Sequence, residues 1–404
     1  MDEIRKPQSR VYFVTGEFPP MRGGMGDYTR ELGIALAQQG WDVHIITHIA
    51  AQQAPQDPRV RQHLTVHPLV HHWNWQGLFH LTRHLSRMAP GILHIQYQTA
   101  AYGLHPAINL LPHWARHRLP HLRTAITYHD LREPYLFPKA GPLRGWITYL
   151  PARASDLVIA TNREDERRLR EHGLTPWRIP IGPNVHPVVL PREAVEQARI
   201  RWGIPPDAAV IGYFGFLNRS KGVTELLLAA ARLVEEGVNV HVLMMGEPVG
   251  ASDPTNRAYM EEVTDLIVTQ GLEDRVHWTG YIDDAELSAG FALAQVVVLP
   301  YRDGVSLRRG TLHAALAHGV PIITTEPRHP IPELEGALWT VPPGDVDALA
   351  AAVQRLLEDA DARQELARRA KEVARHFTWE RIAEQHTRAY HQILGAPPNA
   401  NLSQ

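Results

Sequence analysis

The 404-residue chain has no cysteine, which excludes thiol nucleophiles, disulfides and thiolate metal sites and leaves the redox compartment unreadable. Lysine is scarce. It occurs only at Lys6, Lys139, Lys221 and Lys371, so arginine carries nearly all the positive charge. No apolar run approaches the roughly 20 residues that a membrane span needs. The opening MDEIRKPQSR lacks the apolar core of a signal peptide, and a cytoplasmic location is the expectation. No short-period repeat or low-complexity tract interrupts the chain. The basic residues are scattered without a nucleic-acid motif, so nucleic acid is not expected as a partner.

What is present reads as globular. The hydrophobic share is 44%, ample for a buried core, and the length predicts two domains or one large one. Net charge is -2 but unevenly spread: residues 1–187 hold 21 Lys and Arg against 14 Asp and Glu, the remainder 20 against 29, giving +7 and -9. A basic first half suits anionic lipid head groups or an anionic acceptor, although asymmetry of this size also occurs without consequence.

Strand-length apolar runs at 11–15, 43–47, 92–95, 124–127 and 157–160 alternate with helix-length stretches such as 28–39, 77–87 and 143–154. This alternation predicts a parallel sheet covered on both faces. A strand-like WRIPIG follows, and then PNVHPVVLPREAV, whose prolines and lost periodicity mark a domain boundary at residue 187. The pattern restarts with strands at 210–214, 240–245, 275–278, 296–299 and 322–325 and a helix near 223–235, so the second half repeats the first. Helical stretches at 345–357 and 363–375 precede a terminal helix opening at FTWERIA and a polar tail, 396–404, expected to be flexible.

The stretch 295–325, QVVVLPYRDGVSLRRGTLHAALAHGVPIITT, reads as strand, loop, helix, strand. Its loop brings Ser306, Arg308, Arg309, Gly310 and Thr311 to a helix N-terminus, where unpaired amides and the helix dipole favour an anion. A phosphate site and a merely solvated helix start both fit these residues. Gly23, Gly24 and Gly26 lie between the first strand and the first helix, in a spacing that is not the dinucleotide fingerprint. Close approach to a ligand and a plain tight turn stay open there. Lys221, with Arg219, follows Gly215 at a helix start, where it could neutralise a diphosphate or simply be solvated. His129 and Asp130 end a strand, the place where ligands collect in open α/β sheets, and His94 lies near the end of another. In HPLVHHWNW, His67, His71 and His72 stand beside Trp73 and Trp75. Pro68 argues against a helix joining His67 to His71 and no carboxylate is near, so an aromatic loop or plain packing is favoured over a metal site.

In order along the chain, GGMGDY, TYHD, FGFLNRSKG, TGYIDDAEL, VVVLPYRDG, HAALAHGVPIITT and FTWERIA resemble a retaining glycosyltransferase of the GT-B fold, similar to family four. The resemblance covers nearly the whole chain. It implies an α/β architecture of two Rossmann-like domains with parallel sheets facing across a cleft. An acceptor domain at 1–187, a donor domain at 188–375 and a helix at 376–395 returning to the first domain are its expected parts. It implies transfer of a hexose-type sugar from a UDP- or GDP-sugar to a glycan, lipid-linked or small-molecule acceptor. The anomeric configuration would be retained by front-face attack, with no metal and no other cofactor. Mapped onto this sequence, Gly23, Gly24 and Gly26 match the loop near the phosphates, His129 the residue beside the donor sugar, and Lys221 the diphosphate lysine. Tyr281 matches the place where backbone meets the base, and Trp379 belongs to the returning helix. Gly246, Glu247 and His313 complete the expected nucleoside site; Tyr28, His94 and Asp130 form the expected acceptor site.

The departures are as specific as the matches. Phe216 stands where members carry arginine, and Ser306 and Ala314 where they carry paired glutamates. The expectation is a rebuilt site: Arg219, Arg308 or Arg309 replaces the arginine, and Asp303 or Ser306 the first glutamate. His129, Asp303 and Lys221 are the expected catalytic residues. The same departures admit a catalytically silent nucleotide-sugar-binding protein, and the fold admits a sugar-nucleotide epimerase. Peripheral association with an anionic membrane surface, at its inner face, is expected from the basic first half and from AINLLPHWARHRL, where apolar and basic residues interleave.

Overall fold

A computed structural model describes residues 9–21, 23–52, 57–131, 142–247 and 254–395. The tail expected to be flexible, 396–404, lies outside them. Contacts divide the chain into one unit of residues 1–182 with 378–404 and a second of 183–377.

The first unit runs β1 (Arg10–Thr15), α1 (Gly24–Gln38), β2 (Asp42–His48), α2 (Pro58–His63), β3 (Leu64–Val70), α3 (Trp75–Leu85) and β4 (Gly91–Tyr97). It continues with α4 (Leu111–Arg118), β5 (Leu122–Tyr128), α5 (Pro142–Ala154), β6 (Leu157–Ala160), α6 (Arg163–Glu171) and β7 (Trp177–Arg178). The strands pair in parallel in the order β3-β2-β1-β4-β5-β6-β7. Every residue of β4 is buried, as a parallel strand covered on both faces requires. One face packs α1 through Phe13, Leu32 and Ile45; the other packs α3 and α4 through Val14, Leu78, Leu81 and Ala115.

The second unit runs α7 (Arg192–Arg201), β8 (Ala209–Phe214), α8 (Val223–Glu235), β9 (Val240–Met245), α9 (Pro254–Thr269), β10 (Val276–Trp278) and α10 (Asp284–Leu293). Then come β11 (Val296–Leu299), α11 (Gly310–His318), β12 (Ile322–Thr325), β13 (Trp339–Val341), α12 (Val346–Glu358) and α13 (Ala360–Ala374). Its parallel order is β10-β9-β8-β11-β12-β13. The last helix, α14 (Trp379–Gly395), belongs to the first unit, where Trp379, Ile382 and Tyr390 join the core beside α1.

Only the middle of the histidine-rich stretch, His71 to Asn74, is loop, and Trp75 opens α3. His67 and Pro68 lie in β3, an edge strand, where a missing N–H costs no ladder bond. Asn74 then caps α3, its Oδ1 accepting from the Gly77 N–H at 3.0 Å. The strand read from WRIPIG shrinks to Trp177–Arg178 at the opposite edge. In each sheet the opening strand sits between the second and the fourth, so the chain reverses direction across the sheet at β1/β4 and at β8/β11. The crevice outside the carboxyl ends of such a pair is where open α/β sheets take their ligands.

Candidate functional site

In the second unit that crevice lies beyond β8 and β11, and the loops leaving the two strands are laced together. The Arg302 N–H donates to the Ser220 carbonyl at 2.9 Å. Gly222, at φ +70°, presses so close to the Pro300 carbonyl that no Cβ would fit. Lys221 is thereby brought next to Arg309. Burial first, and then the positive charge of Arg309, push the Lys221 ammonium down to about 8. The Arg309 guanidinium lies over the Tyr301 ring, 4.7 Å from its centroid, and pairs with Asp303. Asp303 offsets Arg309, and Lys221 still feels the guanidinium's positive charge, so an anion at this place relieves the remaining repulsion. Gly215 keeps the site open: a Cβ there would come within 2.6 Å of Lys221 Nζ and 2.8 Å of Thr311 Cγ2. Thr311 and Tyr301 share a 2.7 Å hydrogen bond between their hydroxyls, and the Thr325 hydroxyl donates to the Tyr301 carbonyl at 2.6 Å, which fixes the loop.

Several expected ligands are placed otherwise. Arg219 is turned onto Glu262 and the ring of Tyr259, 5.3 Å away, and so is engaged outside the Lys221–Arg309 pair. Asp303 is the partner of Arg309 before any sugar hydroxyl reaches it. Counted forward from Pro300 and not back from the helix, the place of the first glutamate falls on Gly304, at φ +81°, where a Cβ would come 2.5 Å from the Glu326 carbonyl oxygen, so the adjacent Asp303 is the carboxylate left at that place. The Ser306 carbonyl accepts the Arg309 N–H at 3.2 Å, Arg308 is half-buried beside it, and Gly310 opens α11. Ala314, in the place of the second glutamate, is core. His313 does not reach a ribose. It is 1% exposed, its Nε2 bonds to the Leu307 carbonyl at 2.9 Å, its ring meets Phe377 edge-on, and burial holds it down to about 4. Gly246 does lie beside the Tyr281 segment: it bridges to Gly280, and its N–H donates to Thr279 Oγ1 at 3.0 Å, with Glu247 following.

In the first unit the loop after β1 carries Glu17, which its sequence pattern had not singled out. The N–H groups of Met25 and Gly26, at the start of α1, donate to Glu17 Oε1 at 3.2 and 3.4 Å. The carboxylate lies so close to Gly23 that a Cβ there would have to displace it. Burial raises the Glu17 pKa, and the two amides oppose that rise. A phosphate at Gly23, Gly24 and Gly26 would therefore meet an anion already in place. A carboxylate two residues past the first strand and just ahead of a glycine cluster was the available signal.

His129 is half-buried after β5, its N–H held by the Tyr97 carbonyl at 2.9 Å and its Nε2 by Gln96 Oε1 at 2.8 Å. Burial, and then His386, hold it down to about 3. It is neutral, donates through Nε2, and keeps Nδ1 as an acceptor. Asp130 follows, close enough for its charge to act on Tyr97. The other two expected acceptor residues belong to the core. Tyr28 is packed between His129 and Trp379, with ring centroids at 4.6 and 5.3 Å. His94 is fully buried, bonded through Nε2 to Thr127 Oγ1 at 2.8 Å and through Nδ1 to the Tyr390 hydroxyl. Among the described residues no three His, Asp or Glu side chains are grouped to hold a metal ion.

Comparison with known proteins agrees with this layout. A glycosyl transferase 4-like domain matches residues 23–185, and a domain of the glycosyl transferases group 1 matches 208–359, one in each unit and in this order. The chain belongs to the GT-B glycosyltransferases similar to family four. The transferase is 27% identical to a D-inositol 3-phosphate glycosyltransferase of Corynebacterium efficiens over 399 residues, 93% of this chain and 91% of that one. It is 34% identical over 184 residues to an MMP alpha-(1->4)-mannosyltransferase of Mycolicibacterium hassiacum, 43% and 40% of the two chains. Sucrose-phosphate synthase of Thermosynechococcus elongatus superimposes with a TM-score of 0.73 at 23% identity, over 96% of the transferase and 100% of that chain. Anabaena HepE in complex with UDP and glucose gives 0.73 at 17% identity, over 95% and 100%. These two likenesses show the fold.

Proposed function

We propose that the transferase moves a hexose-type sugar from a UDP- or GDP-sugar to a hydroxyl-bearing acceptor, a glycan, lipid-linked sugar or small polyol, with retention and without a metal. The observation that carries the reading is the Lys221–Arg309 pair at the strand reversal of the second unit, two neighbouring cations of which Arg309 is paired with Asp303. A leaving diphosphate at this place receives positive charge that is already oriented, the form of transition-state stabilisation that costs no reorganisation. Gly246, Glu247 and the Tyr281 segment take the nucleoside, while Ser306 and Arg308 to Thr311 present the start of α11 to the phosphates. Neutral His129 serves as a hydrogen-bond partner for a sugar hydroxyl, and Glu17 offers a carboxylate oxygen to the acceptor in the first unit. The leaving phosphate takes the acceptor's proton on the face it vacates.

Incubation with UDP-, GDP- and ADP-sugars tests this. A donor that raises the melting temperature and yields an axial or equatorial product matching its own anomeric configuration supports the proposal. Inverted product, or turnover that requires a divalent ion, sinks it. Ser306 and Ala314 in the glutamate places favour one other reading, a nucleotide-sugar-binding protein without turnover, which would show the thermal shift and release no nucleotide with any acceptor.

A further inference from the structure

Residues 58–129 contain no Asp or Glu, yet they hold seven arginines. Within this stretch α3 and α4 pack beside each other on the face of the first sheet opposite α1. α3 buries Leu78, Leu81 and Leu85 and turns Trp75, Phe79 and Arg83 outward at four-residue intervals, one stripe down the helix. Trp75 is 51% and Phe79 56% exposed. α4 repeats the arrangement in short form, with Trp114 exposed and Arg118 four residues on. Leu104, an exposed residue held at φ +59°, and His105, whose ring meets Trp75 edge-on at 5.3 Å, adjoin the patch. Among the described residues the guanidinium groups of Arg83, Arg87 and Arg118 make no ion pair, the nearby sequence having no carboxylate to offer.

We propose that this face of the first unit docks on an anionic lipid bilayer, the aromatic rings entering the head-group layer and the guanidinium groups meeting lipid phosphates. Exposed rings beside basic side chains are what the polar–apolar boundary of a bilayer accommodates. The missing carboxylates remove the repulsion that anionic head groups would otherwise meet. An anionic polysaccharide would satisfy the arginines and leave Phe79 and Leu104 in water. The structure also relocates the docking element. In the 107–119 segment Ala107, Ile108, Leu111 and Leu119 are core, and only Trp114 of its large apolar side chains stands out, so α3 carries most of the surface. The proposal extends the membrane association expected from the sequence and does not depend on the identity of the donor.

The test is flotation of the full chain with phosphatidylcholine vesicles, with and without phosphatidylglycerol. Binding is expected only to the anionic vesicles. Trp75→Ser with Phe79→Ser, and separately Arg83→Glu with Arg118→Glu, should each weaken it about tenfold or more. Transfer to a water-soluble acceptor should be unchanged in both variants, which separates a failure of docking from a failure of the transferase reading. Equal binding to uncharged vesicles, full binding in both variants, or binding of a single-stranded oligonucleotide in place of vesicles would overturn the proposal.

Discussion

In the first unit the helix after the opening strand holds a carboxylate, Glu17, on its amides, whereas at the same topological position the second unit holds Lys221 beside Arg309. The scaffolds around these two places are otherwise close. Each sheet reverses direction beside its opening strand, and each ties its second and third strands with a histidine pair: His44 to His67 at 3.0 Å, and His241 to His277 at 2.8 Å. Both pairs are diagonal, since His67 stands opposite Ile46 and His277 opposite Leu243, each two residues beyond the partner histidine. The difference teaches that the fold supplies an address and the loop supplies its sign. An anion would be drawn to the second unit's address and repelled at the first.

The largest expected effect would break both units at once. Burial holds His67, His241, His313 and His386 down to about 4 and His129 to about 3. Histidines neutral when folded take up protons on unfolding, so their contribution is complete above the unfolded value of about 6.5 and is lost as pH falls from there toward 4. Together they amount to several kcal/mol, a large share of a typical stability of about 5–15 kcal/mol. Thermal melts should therefore collapse between these pH values, and hydrogen exchange should show the first unit opening first, because His94 and His386 lie together in its core with half-buried His129 close by. A melting temperature flat from pH 7 to 4 would contradict the burial argument.

Next in size is the cationic side of the comparison. Lys221→Ala should lower kcat/KM by roughly 10²–10³, the loss typical of one preorganised charge at a developing anion. In the wild type, donor affinity should decline as pH rises through about 8, where the ammonium loses its proton. Steady-state kinetics across pH would show whether the Lys221 variant loses that alkaline limb, as it must if this group sets it.

The smallest effect sharpens the acidic side. Glu17→Gln removes a charge whose burial cost exceeds what the two amides return, while its Oε1 can still accept from them, so stability should stay within about 1 kcal/mol, a shift of at most a few degrees in Tm. Donor affinity by calorimetry should stay within about twofold. A tenfold gain would mean that the first unit also takes phosphate, and the contrast between the units would fail.

Much of the scaffold was legible because each buried parallel strand is a continuous apolar run, as in Val296–Leu299, followed by a helical period. Two edge strands gave no such signal: Leu64–Val70 contains a proline and Trp339–Val341 has three residues. The candidate site was legible as a set of residue types and not as a set of partners. Arg308, Arg309 and Asp303 read alike as charges on one loop, ligands or solvated side chains, and only the folded loop closes Arg309 onto Asp303 and Tyr301. His94 and His129 both stood at strand ends, yet one is core and the other half-buried.

By itself, then, the order of apolar runs, glycines and helix periods determined two α/β units and the two loops that carry charge. That information is local, since strand, turn and helix each depend on a few neighbouring residues. Which charges meet was decided by the tertiary structure. Glu17 reaches the amides of Met25 and Gly26 only once α1 folds back over β1, and Lys221 feels Arg309 only once β8 and β11 lie side by side. Electrostatic interaction depends on distance and burial, and neither is written in the spacing of residues along the chain.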